Sequence, residues 1–339
     1  MRKIFFNVAF LLVVFSAGKF IMAQSAVHYV NYGPESEIKE GDDDFVQVIF
    51  LVIPEDESGT FTVKLFDIDC GNKYDLTYLV LDSKFRFSIY GGSGVYTAGS
   101  ITSHHPLKSD LYKGKLIDSI VTVTGNDSQY DDKWIDFVKL TPDQGELVNG
   151  YRYFKFLVEG LDGDDANEFD IEAEFDDSGK KIAMINYCPT FRLPPYNKPV
   201  RVRFTPETDK ITIYNFDGDS GRLKFVTPFR PNIGLTRSYE GQWKEDEINL
   251  EDYEVNEVCE LEFGPGIDKI NDISFYAVDD EGTSLPFRMP IIYPVANKKP
   301  VIRKDISLLD DCRTFVYDAG ATSDPDNNDL RCYAPSRIG

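Results

Sequence analysis

The sequence predicts an all-β protein built as tandem antiparallel β-sandwiches behind an N-terminal signal peptide. Two observations carry the fold class. Short runs alternate apolar and polar residues, as in Phe61-Val63-Leu65, Phe85-Phe87-Ile89, Phe154-Phe156-Val158 and Ile211-Ile213. Between them stand turn-forming clusters such as Gly91-Gly92-Ser93-Gly94, Gly125-Asn126-Asp127, Asp176-Asp177-Ser178-Gly179 and Asp217-Gly218-Asp219-Ser220-Gly221. A period of two with one apolar face is the mark of a sheet resting one side on a core. Glycine and Asx residues supply the positive-φ positions of the turns. Helical periodicity is nearly absent beyond the first segment.

That first segment, residues 1–23, has a basic start at Arg2-Lys3, an apolar stretch from Ile4 to Phe20 broken by Asn7, Ser16, Gly18 and Lys19, and Ala23 before Gln24. It reads as a secretory signal cleaved after Ala23. The apolar run is short for a bilayer span of ~20 residues, so no membrane insertion of the mature chain is expected. Two proline-marked joints then divide the chain. Leu193-Pro194-Pro195-Tyr196-Asn197-Lys198-Pro199 separates a first sandwich, residues 24–192, from a second, immunoglobulin-like in length, at 200–293. Tyr293-Pro294-Val295-Ala296-Asn297-Lys298-Lys299-Pro300 precedes a last segment, 300–339. Consecutive prolines stiffen a linker and cannot sit in a central strand.

The chain holds 57 acidic and 36 basic residues, a net charge of −21. Without Arg2, Lys3 and Lys19 it holds 33 basic residues against 57 acidic ones, a net of −24. Such a surface repels nucleic acid, so no nucleic-acid partner is expected. With 14% aromatic residues the chain is too rich in core formers to be disordered. The five cysteines, Cys70, Cys188, Cys259, Cys312 and Cys332, form no CxxC pair and so no thioredoxin-like or zinc motif. One or two disulfides suit an exported protein, with Cys332 expected to stay unpaired.

The acids cluster next to strands. Asp67-Ile68-Asp69-Cys70-Gly71-Asn72-Lys73-Tyr74-Asp75 follows a strand ending at Phe66, and Asp162-Gly163-Asp164-Asp165-Ala166-Asn167-Glu168 follows one ending near Glu159. Calcium takes about six to eight oxygens from carboxylates, amides and carbonyls, which alternate Asp residues on a tight loop supply. The candidate ligands are Asp67, Asp69, Asp75, Asp162, Asp164, Asp165 and Asn167, expected to share one calcium ion. An EF-hand is excluded, because Ala166 and Asn167 stand where its fifth ligand and its glycine belong. The strings Leu65-Phe66-Asp67-Ile68-Asp69, Phe87-Ser88-Ile89-Tyr90-Gly91-Gly92 and Val158-Glu159-Gly160-Leu161-Asp162-Gly163-Asp164-Asp165-Ala166-Asn167 resemble secreted bacterial pre-peptidase C-terminal-like modules. The resemblance covers about Val46 to Phe191 and implies a calcium-binding, jelly-roll-like first sandwich.

Tyr317-Asp318-Ala319-Gly320-Ala321-Thr322-Ser323-Asp324-Pro325-Asp326-Asn327-Asn328-Asp329-Leu330 resembles the opening of a PKD-type domain, a β-sandwich module of bacterial surface proteins. Two strands, Ile302 to Leu309 and Arg313 to Tyr317, are expected before it. The residues after it do not resemble the module's continuation, so the expectation is the front of a longer multidomain protein.

Catalytic motifs fail on inspection. Gly218-Asp219-Ser220-Gly221 begins like a serine-protease nucleophile motif, but Arg222-Leu223 follows and none of His28, His104 and His105 stands in a matching context. His104 and His105 are adjacent and point to opposite sides of an extended chain. Tyr90-Gly91-Gly92-Ser93-Gly94 misses the esterase elbow because Val95 occupies its last glycine. The expectation is therefore a non-enzymatic extracellular or cell-surface spacer or adhesive protein, calcium-stabilised, with surface polysaccharide or other surface proteins as partners. The rival is a carbohydrate-binding module of a secreted hydrolase, with Tyr90, Tyr96, Tyr130, Tyr151 and Trp134 as stacking platforms in a coplanar row. A third possibility is an enzyme whose catalytic domain lies beyond Gly339.

Overall fold

The computed structural model of the chain describes residues 28–36, 45–71, 75–77, 81–123, 130–193, 200–218, 221–239, 241–264, 271–292, 305–308 and 315–318. Residues 1–23, read above as a signal peptide, residues 194–199 and 293–300 of the proline joints, the Asp219-Ser220 pair, Cys312, Cys332 and most of the Tyr317–Leu330 motif lie outside them. In chain order the strands are β1 (His28–Tyr32), β2 (Val46–Pro54), β3 (Phe61–Phe66), β4 (Lys84–Gly91), β5 (Lys115–Val123), β6 (Trp134–Leu140), β7 (Glu146–Val148), β8 (Tyr151–Asp162), β9 (Ala166–Phe175), β10 (Ala183–Asn186) and β11 (Thr190–Leu193). They continue as β12 (Val200–Phe204), β13 (Lys210–Phe216), β14 (Arg222–Val226), β15 (Ile233–Gly234), β16 (Trp243–Asn249), β17 (Cys259–Gly264), β18 (Asn271–Asp279), β19 (Phe287–Ile292), β20 (Asp305–Leu308) and β21 (Phe315–Asp318). Among the described residues a short α-helix, α1 (Lys108–Leu111), and a 3-10 turn, Pro142–Gln144, interrupt them.

All the described ladders are antiparallel; they build two large sheets and a separate β20–β21 pair. One runs β16-β13-β18-β11-β1-β9-β3-β6, the other β15-β14-β17-β12-β19-β10-β2-β8-β4-β5, with β7 added beside β8. β1 thus lies between β11 and β9, and β19 between β12 and β10. The all-β sandwich architecture follows from the alternation. Phe61, Val63 and Leu65 of β3, Phe85, Phe87 and Ile89 of β4, and Ile211 and Ile213 of β13 all point into one hydrophobic core. At ~25 cal/mol per Å² of apolar surface buried, side chains of this size dominate the fold's stability.

Strands from both sides of residues 194–199 share these sheets. β11 pairs with β18 from Thr190↔Ser274 to Leu193↔Asn271, and β10 pairs with β19 from Met184↔Met289 to Asn186↔Phe287. The core is likewise continuous, running from Phe61 and Phe156 to Phe225 and Phe287. The junction also holds a buried ion pair. Arg192 Nε and Nη2 donate to the Asp272 carboxylate at 2.8 and 2.7 Å, and the Tyr32 hydroxyl donates to the same group. Thr190 and Ser274 hydroxyls meet beside it at 2.8 Å.

β8 departs from simple alternation. Phe154, Phe156 and Val158 face the main core, yet Lys155 and Leu157 on the opposite side are fully buried as well. The reason is the segment between β4 and β5. Val95, Ile101 and Leu111 fold back over Phe50, Tyr153 and Leu157 as a second, smaller core. Glu146 pins that segment by accepting from the Gly94, Tyr96 and Thr97 backbone N–H groups at 2.8, 2.7 and 3.1 Å. Farther on, β20 and β21 pair from Asp305↔Asp318 to Leu308↔Phe315.

Candidate functional site

The two acidic loops meet. Leu76 bridges to Ala166, the Glu168 N–H donates to Asp75 Oδ1 at 2.8 Å, and Asn167 Nδ2 donates to the Asp67 carbonyl at 3.4 Å. Their carboxylates, however, sort into two groups. In one, oxygens of Asp67, Asp69 and Asp131 lie within 4.8 Å of one another; in the other, those of Asp82, Asp164 and Asp165 do. Asp75 and Asp162 belong to neither. Asp75 Oδ2 accepts from Gly71 N–H at 2.8 Å, and Asp162 is salt-bridged to Lys84.

Local structure explains the first group. β3 ends at Phe66, which pairs with Trp134 at the start of β6. The chain beyond Phe66 therefore runs beside residues 131–133, with Asp67 N–H donating to the Lys133 carbonyl at 3.2 Å and Asp132 N–H to Asp67 Oδ1 at 3.1 Å. Asp67 sits at φ 54°, a left-handed conformation that Asp tolerates better than most residues. Asp67 and Asp69 are buried, at 1% and 3% exposure. Asp131 Oδ1 and Asn167 Oδ1 are buried oxygens with no hydrogen-bond partner among the described residues. Oxygen-rich, acidic and incompletely satisfied, this group fits a hard cation such as calcium.

The second group fits less well because one of its carboxylates and the carbonyls around it already accept hydrogen bonds. Asp165 Oδ2 accepts from both Asp82 and Ser83 N–H at 3.2 Å. The Gly163, Asp164 and Asp165 carbonyls accept from Glu35 N–H, Ser36 Oγ and Gly33 N–H at 2.9, 2.7 and 2.9 Å. Gly163 is required here, since at φ +83° a Cβ would lie 2.5 Å from Ser83 Cα. Burial and the neighbouring Asp165 and Asp82 raise the Asp164 pKa above the usual carboxylate value. Asp131 and Asp82 are the ligand-type residues that sequence reasoning missed. The Asp131-Asp132 pair was visible as an acidic run, but only the β3–β6 ladder brings it to Asp67.

A buried polar cluster adjoins the first group. His28 Nε2 lies 3.6 Å from Glu168 Oε1, and the His28 ring stacks on Phe66 with centroids 5.7 Å apart. Burial pushes Glu168 up to about 7 and takes His28 down to about 4, so between those values the two form a neutral contact rather than an ion pair. His104 stacks on Tyr276 at 3.9 Å and its Nδ1 is 2.9 Å from Ser284 Oγ. Cys70 and Cys259 are buried free thiols.

The aromatic residues named as sugar platforms do not form a row. Tyr90 is buried, Tyr96 stacks face to face on Tyr153 at 3.8 Å, and Tyr130 packs against the core. Trp134 and Tyr151 are exposed, but β6 and β8 belong to different sheets. The rings that do line up, His104, Tyr276 and Tyr214, stack face to face and cover one another's flat sides.

No family model matches the chain, and no curated protein matches it. Among solved structures, the N-terminal CBM22-1-CBM22-2 tandem domain of Paenibacillus barcinonensis Xyn10C aligns at 12% identity over 72% of this chain and 79% of its own, with a TM-score of 0.11. A score that low falls far short of a shared fold.

Proposed function

We propose that the chain is a non-enzymatic, exported β-sandwich protein that acts as a spacer or adhesive part at the cell surface, with calcium bracing its acidic corner. The observation that carries this reading is the unbroken run of both sheets, from β5 and β6 at one end to β15 and β16 at the other, over one core. A spacer must be stiff, and a body whose two halves share ladders and core cannot bend at a hinge between them. The histidines support the same reading, because His28 and His104 are held in ring stacks. Calcium would be held by Asp67, Asp69 and Asp131, with Asn167 close behind. It would neutralise three carboxylates gathered at one place.

Thermal melts of the mature chain in EDTA and in millimolar calcium test the ion. A ligand bound by the folded state alone adds ~2.7 kcal/mol at a hundredfold excess over Kd. Calcium should raise Tm, Asp131→Asn should remove the rise, and Asp162→Ala should leave it. Equal melting in both buffers would sink the calcium reading. Surface digestion of intact cells by an added protease tests the location separately, and protection of the chain until lysis would overturn it.

A further inference from the structure

The outward side of β14, β17, β12 and β19 is cationic on a chain whose net charge is −21. The inward residues of these strands are Leu223 and Phe225, Leu261 and Phe263, Val200, Val202 and Phe204, and Phe287 and Met289, all in the core. Alternation therefore places Arg222 and Lys224, Glu260 and Glu262, Arg201 and Arg203, and Arg288 on the opposite side. Register confirms the rows: Lys224↔Glu262↔Arg201 in one, Glu260↔Arg203↔Arg288 in the next.

The charges are layered. Glu262 lies between Lys224 and Arg201, each 2.6 Å away, and Glu260 between Arg201 at 3.2 Å and Arg203 at 2.9 Å. The two carboxylate side chains are only 7% and 14% exposed, whereas those of Arg201 and Arg203 are 36% and 40% exposed. Anions sit beneath and guanidinium groups above. Arg222 and Arg288 are exposed and make no ion pair with a described residue. Beside Arg222 and Lys224 an open depression is lined further by Asn232, Leu235 and Arg237.

We propose that this face binds a linear carboxylated polysaccharide. Guanidinium forks match carboxylates in geometry and charge, and the exposed Arg222 and Arg288, unpaired among the described residues, leave theirs open. The acidic remainder of the molecule argues against nucleic acid, whose denser charge it would repel over a Debye length of ~8 Å. Recognition is ionic, so it needs no row of stacking aromatics. The proposal deepens the adhesive reading above and rests on it.

The test uses the full mature chain and measures binding to oligogalacturonate, dextran, poly-aspartate and duplex DNA at low and at high salt. Oligogalacturonate should bind and lose affinity as salt rises, and dextran should not bind. The Arg222→Ser/Arg288→Ser double variant removes two exposed charges without orphaning a carboxylate. It should weaken binding at least tenfold while its melting temperature stays within a few degrees of the parent. Arg288→Glu alone should weaken it further than Arg288→Ser. No binding at low salt, parental affinity in the variants, or equal affinity for DNA or poly-aspartate would each overturn the proposal. Because location is read by surface digestion, a protein found inside the cell that still binds oligogalacturonate would sink the surface reading and leave this face standing.

Discussion

Lys155 is a buried cation that ties stability to alkaline pH, although no solvent reaches it. It is fully buried on β8, donates to the Asp110 and Lys113 carbonyls at 3.2 and 2.8 Å, and lies 4.9 Å from the centre of the Tyr90 ring. Burial lowers its pKa from 10.5 to about 8. Below pH 8 both folded and unfolded chains hold the proton, and the cost of burying the cation is present in full. Between about 8 and 10.5 the folded chain releases the proton while the unfolded chain keeps it, so this residue's contribution to stability rises with pH. Chemical denaturation of wild type and Lys155→Met at pH 7.5 and pH 10 should show the wild type gaining on the variant by on the order of 1–3 kcal/mol. A difference independent of pH would mean that Lys155 titrates normally.

At the scale of elements, the β11–β18 ladder is one of two that join the halves, and it carries the buried ion pair. Arg192 and Asp272 are each about 3% exposed, so removing one leaves the other charged and unsolvated. Arg192→Met or Asp272→Ala should cost about 3–5 kcal/mol, read from urea midpoints, whereas Lys181→Met at an exposed pair should cost under about 1 kcal/mol. Similar small losses for both would show that the junction contributes little. Individual strands were legible in the sequence because alternation is local: the runs at Phe61, Phe85, Phe154 and Ile211 all became strands facing the core. Strand partners were not legible. Nothing local says that Thr190–Leu193 joins Asn271–Ser274 across a proline joint, or that Asp131 returns to Asp67 through the β3–β6 ladder. The acidic loops do lie side by side, but their carboxylates sort into two groups because Asp131 and Asp82 come in from other segments. Lys155 and Leu157 illustrate the same limit, since a segment distant in sequence covers them.

For the whole molecule, continuous sheets and a common core predict one cooperative unfolding transition for residues 24–292. Calorimetry should give one peak whose calorimetric and van't Hoff enthalpies agree, and a fragment ending at residue 193 should not fold alone. Two resolved peaks, or a folded fragment, would show that the halves are autonomous. The places of β1 and β19 have a mechanical consequence. Each lies inside its sheet with a hydrogen-bonded neighbour on both sides, not at an edge. Tension applied between residues 28 and 292 therefore cannot peel away a border strand first. It must break two ladders at once in each sheet, including the one that carries Arg192 at the junction, before any strand comes free. A body built this way resists load until it fails as a unit.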